Sequence, residues 1–130
     1  MTYVLDACSI LRYFDNDRGA DTVDEALTTH TCMIHPVNAT EIYYKVYEKH
    51  GNDAANDVLD WMYQALIVWS GDDREIIRIA GEIKVACGVP LGDCFCGGLA
   101  NILGAPVLTS DVNDMGRISE SGYCKVRYLW

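Results

Sequence analysis

The feature that most constrains this chain is where its short apolar runs stop. Tyr3-Val4-Leu5 ends at Asp6, Cys32-Met33-Ile34 ends at His35-Pro36, and Pro106-Val107-Leu108-Thr109 leads through Ser110 to Asp111. Between these runs lie longer segments whose apolar residues recur every three or four positions, the period of a helix. Ser9 to Phe14 reads as a short helix, and Val23, Ala26, Leu27 and His30 share a second helical face. Ile42 and Val46, with Tyr43 and Tyr47, mark a helix from about Asn38 to His50 that Gly51 ends. Ala55, Val58, Leu59, Met62 and Leu66 mark another. The stripe Ile76, Ile79, Ala80, Ile83 and Cys87 is opened by Asp72 or Asp73 and stopped by Gly88. Phe95, Leu99, Ile102 and Leu103 form the next, closed by Gly104. Ile67-Val68-Trp69 and Val126-Arg127-Tyr128-Leu129 complete the strands. Buried strands alternating with helices predict an α/β domain with a mainly parallel central sheet, and right-handed crossovers put helices on both faces. The 130 residues, half of them hydrophobic, fit one domain over 1–130 with a core that needs no staples.

In a parallel sheet Asp6 and Asp111 both sit at the carboxyl edge, where open α/β sheets place their ligands. Asp93 opens a helix after the turn at Pro90, and Glu41 lies in the first turn or so of its own helix. All four acids can converge on one crevice. Ionised carboxylates crowd together only with compensation, and a divalent cation supplies it. Oxygen-only ligands select a hard ion, Mg²⁺ or Mn²⁺. Each acid taken singly has a plainer reading. Asp6 and Asp111 can cap helices, Asp93 and Glu41 can answer a helix dipole, and Asp114 can be a solvated surface acid.

Several chemistries are excluded. A net charge of −9 argues against a scaffold that holds nucleic acid by surface charge alone. Arg12, Arg18, Lys45, Lys49 and Arg117 follow the acidic segments and can rim a crevice, with solvated surface as the plainer reading. Cys94-Phe95-Cys96 lacks the gap of a zinc or redox pair, and the six cysteines read as small buried hydrophobes in a reducing, cytoplasmic setting. No apolar run is long enough for a membrane span. His30, His35 and His50 lie near no nucleophile, Ser9 lacks a glycine-flanked elbow, and no phosphate-binding glycine loop is present.

Four segments together resemble one family. Tyr3-Val4-Leu5-Asp6-Ala7-Cys8-Ser9, Val37-Asn38-Ala39-Thr40-Glu41-Ile42-Tyr43-Tyr44, Pro90-Leu91-Gly92-Asp93-Cys94-Phe95 and Gly104-Ala105-Pro106-Val107-Leu108-Thr109-Ser110-Asp111 are similar, in order and spacing, to the motifs of PIN-domain proteins. The length resembles that of single-domain VapC-type toxins of toxin–antitoxin pairs. The resemblance implies a three-layer α/β/α fold and a Mg²⁺-dependent endoribonuclease. It implies that Asp6, Glu41, Asp93 and Asp111 form the metal-binding catalytic site, with Ser9 and Thr109 hydrogen-bonding behind them and Asp114 as a weaker addition. It also implies an RNA substrate, a cognate antitoxin and a homodimer, for which the helices around Tyr43–Tyr47 and Trp61–Leu66 offer a surface. Two departures stand out. Cys8 occupies a position where Thr or Ser is commoner, and Gly97-Gly98 interrupts a helix usually richer in Ala, which suggests close backbone approach to the sheet. A haloacid-dehalogenase-like phosphatase with Asp6 as nucleophile is the competing enzyme, but it wants an Asp where Cys8 stands. A non-catalytic PIN-like binding module is the competing non-enzyme.

Overall fold

Val4, Leu5, Val107 and Leu108 are all fully buried, so the strands that carry them have both faces covered and belong in the middle of a sheet. The computed structural model, which describes Met1–Trp130, arranges them so. The strands are β1 (Thr2–Leu5), β2 (Thr31–Ile34), β3 (Ile67–Val68), β4 (Val107–Thr109) and β5 (Val126–Tyr128). They form one sheet in the order β3-β2-β1-β4-β5, and every pairing is parallel. The sheet is thus entirely rather than mainly parallel. The helices are α1 (Ala7–Phe14), α2 (Ala20–Thr29), α3 (Pro36–His50), α4 (Asn52–Ala65), α5 (Arg74–Cys87), α6 (Leu91–Leu103) and α7 (Asp114–Glu120).

The alternation of side chains along each strand divides the interior in two. Leu5, Ile34 and Leu108 face a layer built from Ile10, Val23, Ile42 and Met62 of α1–α4. Val4 and Val107 face Ile76, Ile83, Leu99, Met115 and Ile118 of α5–α7. Each fully buried aliphatic side chain contributes roughly 1.5–3 kcal/mol of transfer free energy. The chain leaves β1 toward β2 on one side and returns to β4 on the other. The strand order therefore reverses between β1 and β4, and the crevice beyond their carboxyl ends is a topological switch point.

Four sequence expectations shift. First, α3 begins at Pro36, whose missing N–H costs nothing at a helix start, so Glu41 lies in the second turn. Second, the buried face of α6 is Cys94, Cys96, Gly97, Gly98, Leu99 and Ala100, while Ile102 is exposed. Third, the glycine pair approaches helices and not the sheet. A Cβ at Gly98 would lie 3.1 Å from the Ile76 carbonyl oxygen of α5, and one at Gly97 would lie 3.1 Å from Ile118 of α7 and from Ile83. Fourth, Tyr47 is exposed on α3 beside Tyr44, where helical spacing suggested core. All six cysteines are free, and no helix is long and apolar enough to cross a membrane.

Candidate functional site

β1 delivers Asp6 to the switch point, and the backbone there turns straight into α1. Asp6 is the N-cap of that helix, so the plain reading of this residue also holds: its Oδ1 accepts the Ser9 N–H at 3.0 Å. Its Oδ2 accepts the Thr109 hydroxyl at 2.5 Å, and the Cys8 thiol donates from 3.2 Å. The Ser9 hydroxyl also ties the strand ends together. It donates to the Leu108 carbonyl at 2.7 Å and pins α1 to β4. The Thr109 hydroxyl works in both directions, because it also accepts the Asp111 N–H at 2.9 Å. One buried hydroxyl thus fixes the spacing between the acid that ends β1 and the acid that follows β4. Burial raises the Asp6 pKa, and these three donors oppose the rise.

Asp111 sits in the turn between β4 and α7. Its Oδ1 accepts the N–H groups of Asn113 at 3.0 Å and Asp114 at 2.9 Å. Asp93 stands in the first turn of α6, half-buried, and its carboxylate accepts no hydrogen bond from the protein. Burial pushes its pKa up to about 7, reinforced by the charges of Asp111, Asp6, Asp114 and Glu41. Glu41 reaches in from α3 and is the one acid with a cation beside it: Lys45 Nζ lies 3.0 Å from its Oε2.

Asp6, Glu41, Asp93 and Asp111 line one pocket of about 380 Å³, together with Cys8, Tyr44, Lys45 and Pro90. Asp114 joins from α7: Asp93, Asp111 and Asp114 each present an oxygen within 4.8 Å of the others. The structure therefore sets Asp114 level with the strand-end acids rather than behind them. Three carboxylates at that spacing, backed by two more, are the donor set of a hard divalent cation. The neighbouring sulfur does not alter this. Burial and the Asp6 charge push the Cys8 thiol up to about 11, so it is a protonated donor and not a thiolate ligand. The cluster fits a hard divalent cation on donor chemistry.

A larger pocket, of about 470 Å³, lies at the opposite edge of the sheet among Asn101, Gly104, Pro106, Tyr123 and Lys125. It is lined by no acid, so size does not mark the acidic chemistry here.

Sequence reasoning gave no site role to Asn38, Gly92 or Cys8, and it placed Lys45 at the rim without its partner. Asn38 is buried and donates from Nδ2 to the Gly92 carbonyl at 3.0 Å, tying α3 to the start of α6. Gly92 is close enough to the pocket that a Cβ would lie 2.9 Å from Glu41 Oε1. Cys8 touches Asp6 directly, and Lys45 compensates Glu41. The Glu41–Lys45 pair was legible as an i, i+4 spacing. Asn38 lies one turn before Glu41 on the same face, which was a weaker signal. Of the other rim cations, Arg117 donates to the Cys87 carbonyl away from the pocket, and Lys49 lines a separate cleft with Leu11, Phe14 and His50.

The sequence model of the PIN domain matches residues 3–120. No curated protein matches the chain. Among solved structures, a DNA-bound VapBC from Salmonella typhimurium contains a chain with a TM-score of 0.78 and 17% identity, over 100% of this chain and 99% of that one. VapBC2 from Rickettsia felis, bound to a DNA fragment from its promoter, gives 0.76 and 16% over 100% and 99%. A toxin-antitoxin complex from Klebsiella pneumoniae gives 0.75 and 14% over 98% of each chain.

Proposed function

The chain belongs to the PIN domain family, and from that premise we propose that it is a metal-dependent endoribonuclease that hydrolyses RNA phosphodiesters. We read it as the toxin of a type II toxin–antitoxin pair, acting in the cytoplasm. The observation that carries the enzymatic reading is the convergence of acids from four separate segments, Asp6, Glu41, Asp93 and Asp111, on one switch-point pocket. The antitoxin partner is supported by the complexes in which the similar chains occur. A homodimer is supported by the exposed tyrosines Tyr44 and Tyr47 on α3 and Tyr63 on α4. Light scattering at micromolar concentration is expected to show twice the 14.5 kDa mass of one chain, and a monomer alone would remove that part.

Asp93, Asp111 and Asp114, with Asp6 and Glu41 beside them, would hold a Mg²⁺ or Mn²⁺, and such an ion would supply positive charge for the attack of water on a phosphodiester and for the departing alkoxide. The protein's own contribution is placement. Thr109, Ser9 and Cys8 hold Asp6 in a single orientation, so no reorganisation is needed when charge develops on the phosphate. The Asp111 backbone is held by Thr109, and one of its carboxylate oxygens by the N–H groups of Asn113 and Asp114, which leaves the other free to face the pocket. Glu41 Oε1, on the side away from Lys45, is the acceptor that orients the attacking water and takes its proton. Attack by water rather than by the ribose 2′-hydroxyl leaves a 5′-phosphate and a 3′-hydroxyl. The test is a cleavage assay on total RNA with Mg²⁺ and with EDTA, followed by mapping of the product ends. Cyclic 2′,3′-phosphates, or full cleavage in EDTA, would overturn the mechanism.

A further inference from the structure

Two arginines meet over one ring at the edge of the acidic pocket. Arg12 Cζ lies 5.0 Å from the centroid of Trp130, and Arg18 Cζ lies 4.2 Å from it. The backbone leading to the ring is anchored at Leu129, and the ring itself is half-exposed. The Leu129 N–H donates to the Thr109 carbonyl at 3.1 Å, and its carbonyl accepts the Thr22 hydroxyl at 2.8 Å. Gly19, with φ +91°, leaves the room: a Cβ there would lie 2.8 Å from Leu129 and 3.1 Å from the Trp130 ring. Arg12 is fixed at both ends of its guanidinium. Nη1 donates to the Arg18 carbonyl at 3.3 Å and lies 3.4 Å from Asp17, while Nε donates to the Ser110 hydroxyl at 3.0 Å. That hydroxyl is 3.3 Å from Cys8, which lines the acidic pocket, and Ser110 precedes Asp111.

The placement answers a difficulty of charge. A chain of net charge −9 with five carboxylates around its cleft repels a polyanion, and Lys45 at that cleft is already paired to Glu41. Two like charges gathered on one ring are costly in isolation. Stacking on an indole and the single carboxylate of Asp17 offset part of that cost. The arrangement leaves Arg12 Nη2 and the whole Arg18 guanidinium without a hydrogen-bonding partner in the protein, and planar N–H donors held on a ring suit an oxyanion of phosphate. We infer that Arg12 and Arg18, stacked on Trp130 and linked through Ser110 to the acidic pocket, seat a backbone phosphate of the RNA next to the bond that is cut. This rests on the ribonuclease reading above, and the experiment separates the two.

Binding of a fluorescein-labelled single-stranded RNA is measured by anisotropy across a salt series, with Mg²⁺ present, in an Asp93→Asn background that does not cut. Arg18→Ala is expected to weaken binding about three- to ten-fold and to lower the slope of log K against log salt by about 0.7. Adding Arg12→Ala should multiply the loss. Trp130→Ala keeps both charges and removes their platform, so it should weaken binding by a smaller factor, about two- to five-fold, with the slope nearly kept. Arg18 makes no side-chain hydrogen bond or ion pair, so Arg18→Ala folds and remains a fair test if Arg12→Ala does not. RNA bound by Arg18→Ala with unchanged affinity and slope would overturn the inference while leaving the ribonuclease reading intact. A wild type that cuts no RNA, in a background that binds none, would remove both. Loss of an acidic peptide of equal length, with RNA binding unchanged, would assign the patch to a protein and overturn it as an RNA seat.

Discussion

The two halves of the acidic pocket are built differently. On the strand side, Asp6 is fully buried and its two oxygens take donors from Thr109, Ser9 and Cys8. On the helix side, Asp93 is half-buried among Asp111, Asp6, Asp114 and Glu41, and its pKa stands at about 7. The strand half is complete in the folded protein itself. The helix half has negative charge without compensation, apart from Lys45 on Glu41. The contrast teaches that acids in one pocket do different work: one is a fixture of the fold, and the other is stabilised only when something positive arrives.

The largest expected effect compares the two acids by replacement. Asp93→Ala and Asp6→Ala should each lower RNA cleavage by at least about 100-fold, because each removes a carboxylate that the reaction uses. Both should keep the far-ultraviolet circular dichroism of the folded chain. They should part in melting temperature without metal. Asp6→Ala strands the Thr109 hydroxyl and the Ser9 N–H and lowers it, whereas Asp93→Asn at pH 8 removes a repelled charge and raises it. Equal melting shifts would erase the distinction between the halves.

Titration sharpens the same comparison. The Asp93 pKa is higher in the folded protein than the ordinary 3.8, so the folded state binds the proton more tightly. Metal-free stability should then be greatest in its Asp93 contribution below about pH 4, fall as pH rises, and level off above about 7. Urea unfolding in EDTA between pH 4 and 8 measures this, and Asp93→Asn should flatten the slope. If the slope persists in that variant, its source lies in another group.

Next in size is the bridge between the strand ends. Thr109→Val keeps the shape and deletes the hydroxyl, leaving Asp6 Oδ2 and the Asp111 N–H without their partner. The expected loss is about 1–3 kcal/mol of unfolding free energy, read from denaturant midpoints. A loss under about 0.5 kcal/mol would mean that water replaces the hydroxyl and that the strand half is less closed than its burial suggests.

Much of this pocket could be read from the sequence, for a definite reason. Asp6 and Asp111 follow short apolar runs, and strand ends are visible as such. Glu41 and Asp93 lie near helix starts marked by Pro36 and Pro90. The alternation of short apolar runs with segments of helical period pointed to the fold class for the same reason. What stayed hidden depends on contacts between distant residues. Gly97 and Gly98 were legible as close-approach residues, but nothing local tells that Ile76 and Ile118 are the neighbours. Tyr47 has helical spacing with Tyr43, yet the apolar stripe was one residue narrower than the spacing allowed. Trp130 is an ordinary terminal residue until the fold brings Arg12 and Arg18 beneath it.

The smallest expected effect lies at Gly92, where the two halves touch through Glu41. Gly92 is in the first turn of α6, and its φ is not in the left-handed region, so Ala suits the backbone. Helix propensity alone would favour Gly→Ala by up to about 1 kcal/mol. The obstacle is local: the new methyl carbon would stand 2.9 Å from Glu41 Oε1 and 3.6 Å from Asn38 Nδ2. The Glu41 side chain is flexible and half-exposed, so it yields by rotating away from the pocket rather than by unfolding the helix. Stability should therefore change by less than about 1 kcal/mol in either direction, while kcat falls about ten-fold, the equivalent of about 1.4 kcal/mol of transition-state stabilisation. Gly81→Ala in α5 is the control, because nothing lies within 4 Å of a Cβ there. It should stabilise by roughly 0.5–1 kcal/mol and leave kcat unchanged. Full activity in Gly92→Ala would show that Glu41 needs no fixed position, and the proton-accepting role proposed for its Oε1 would be lost with it.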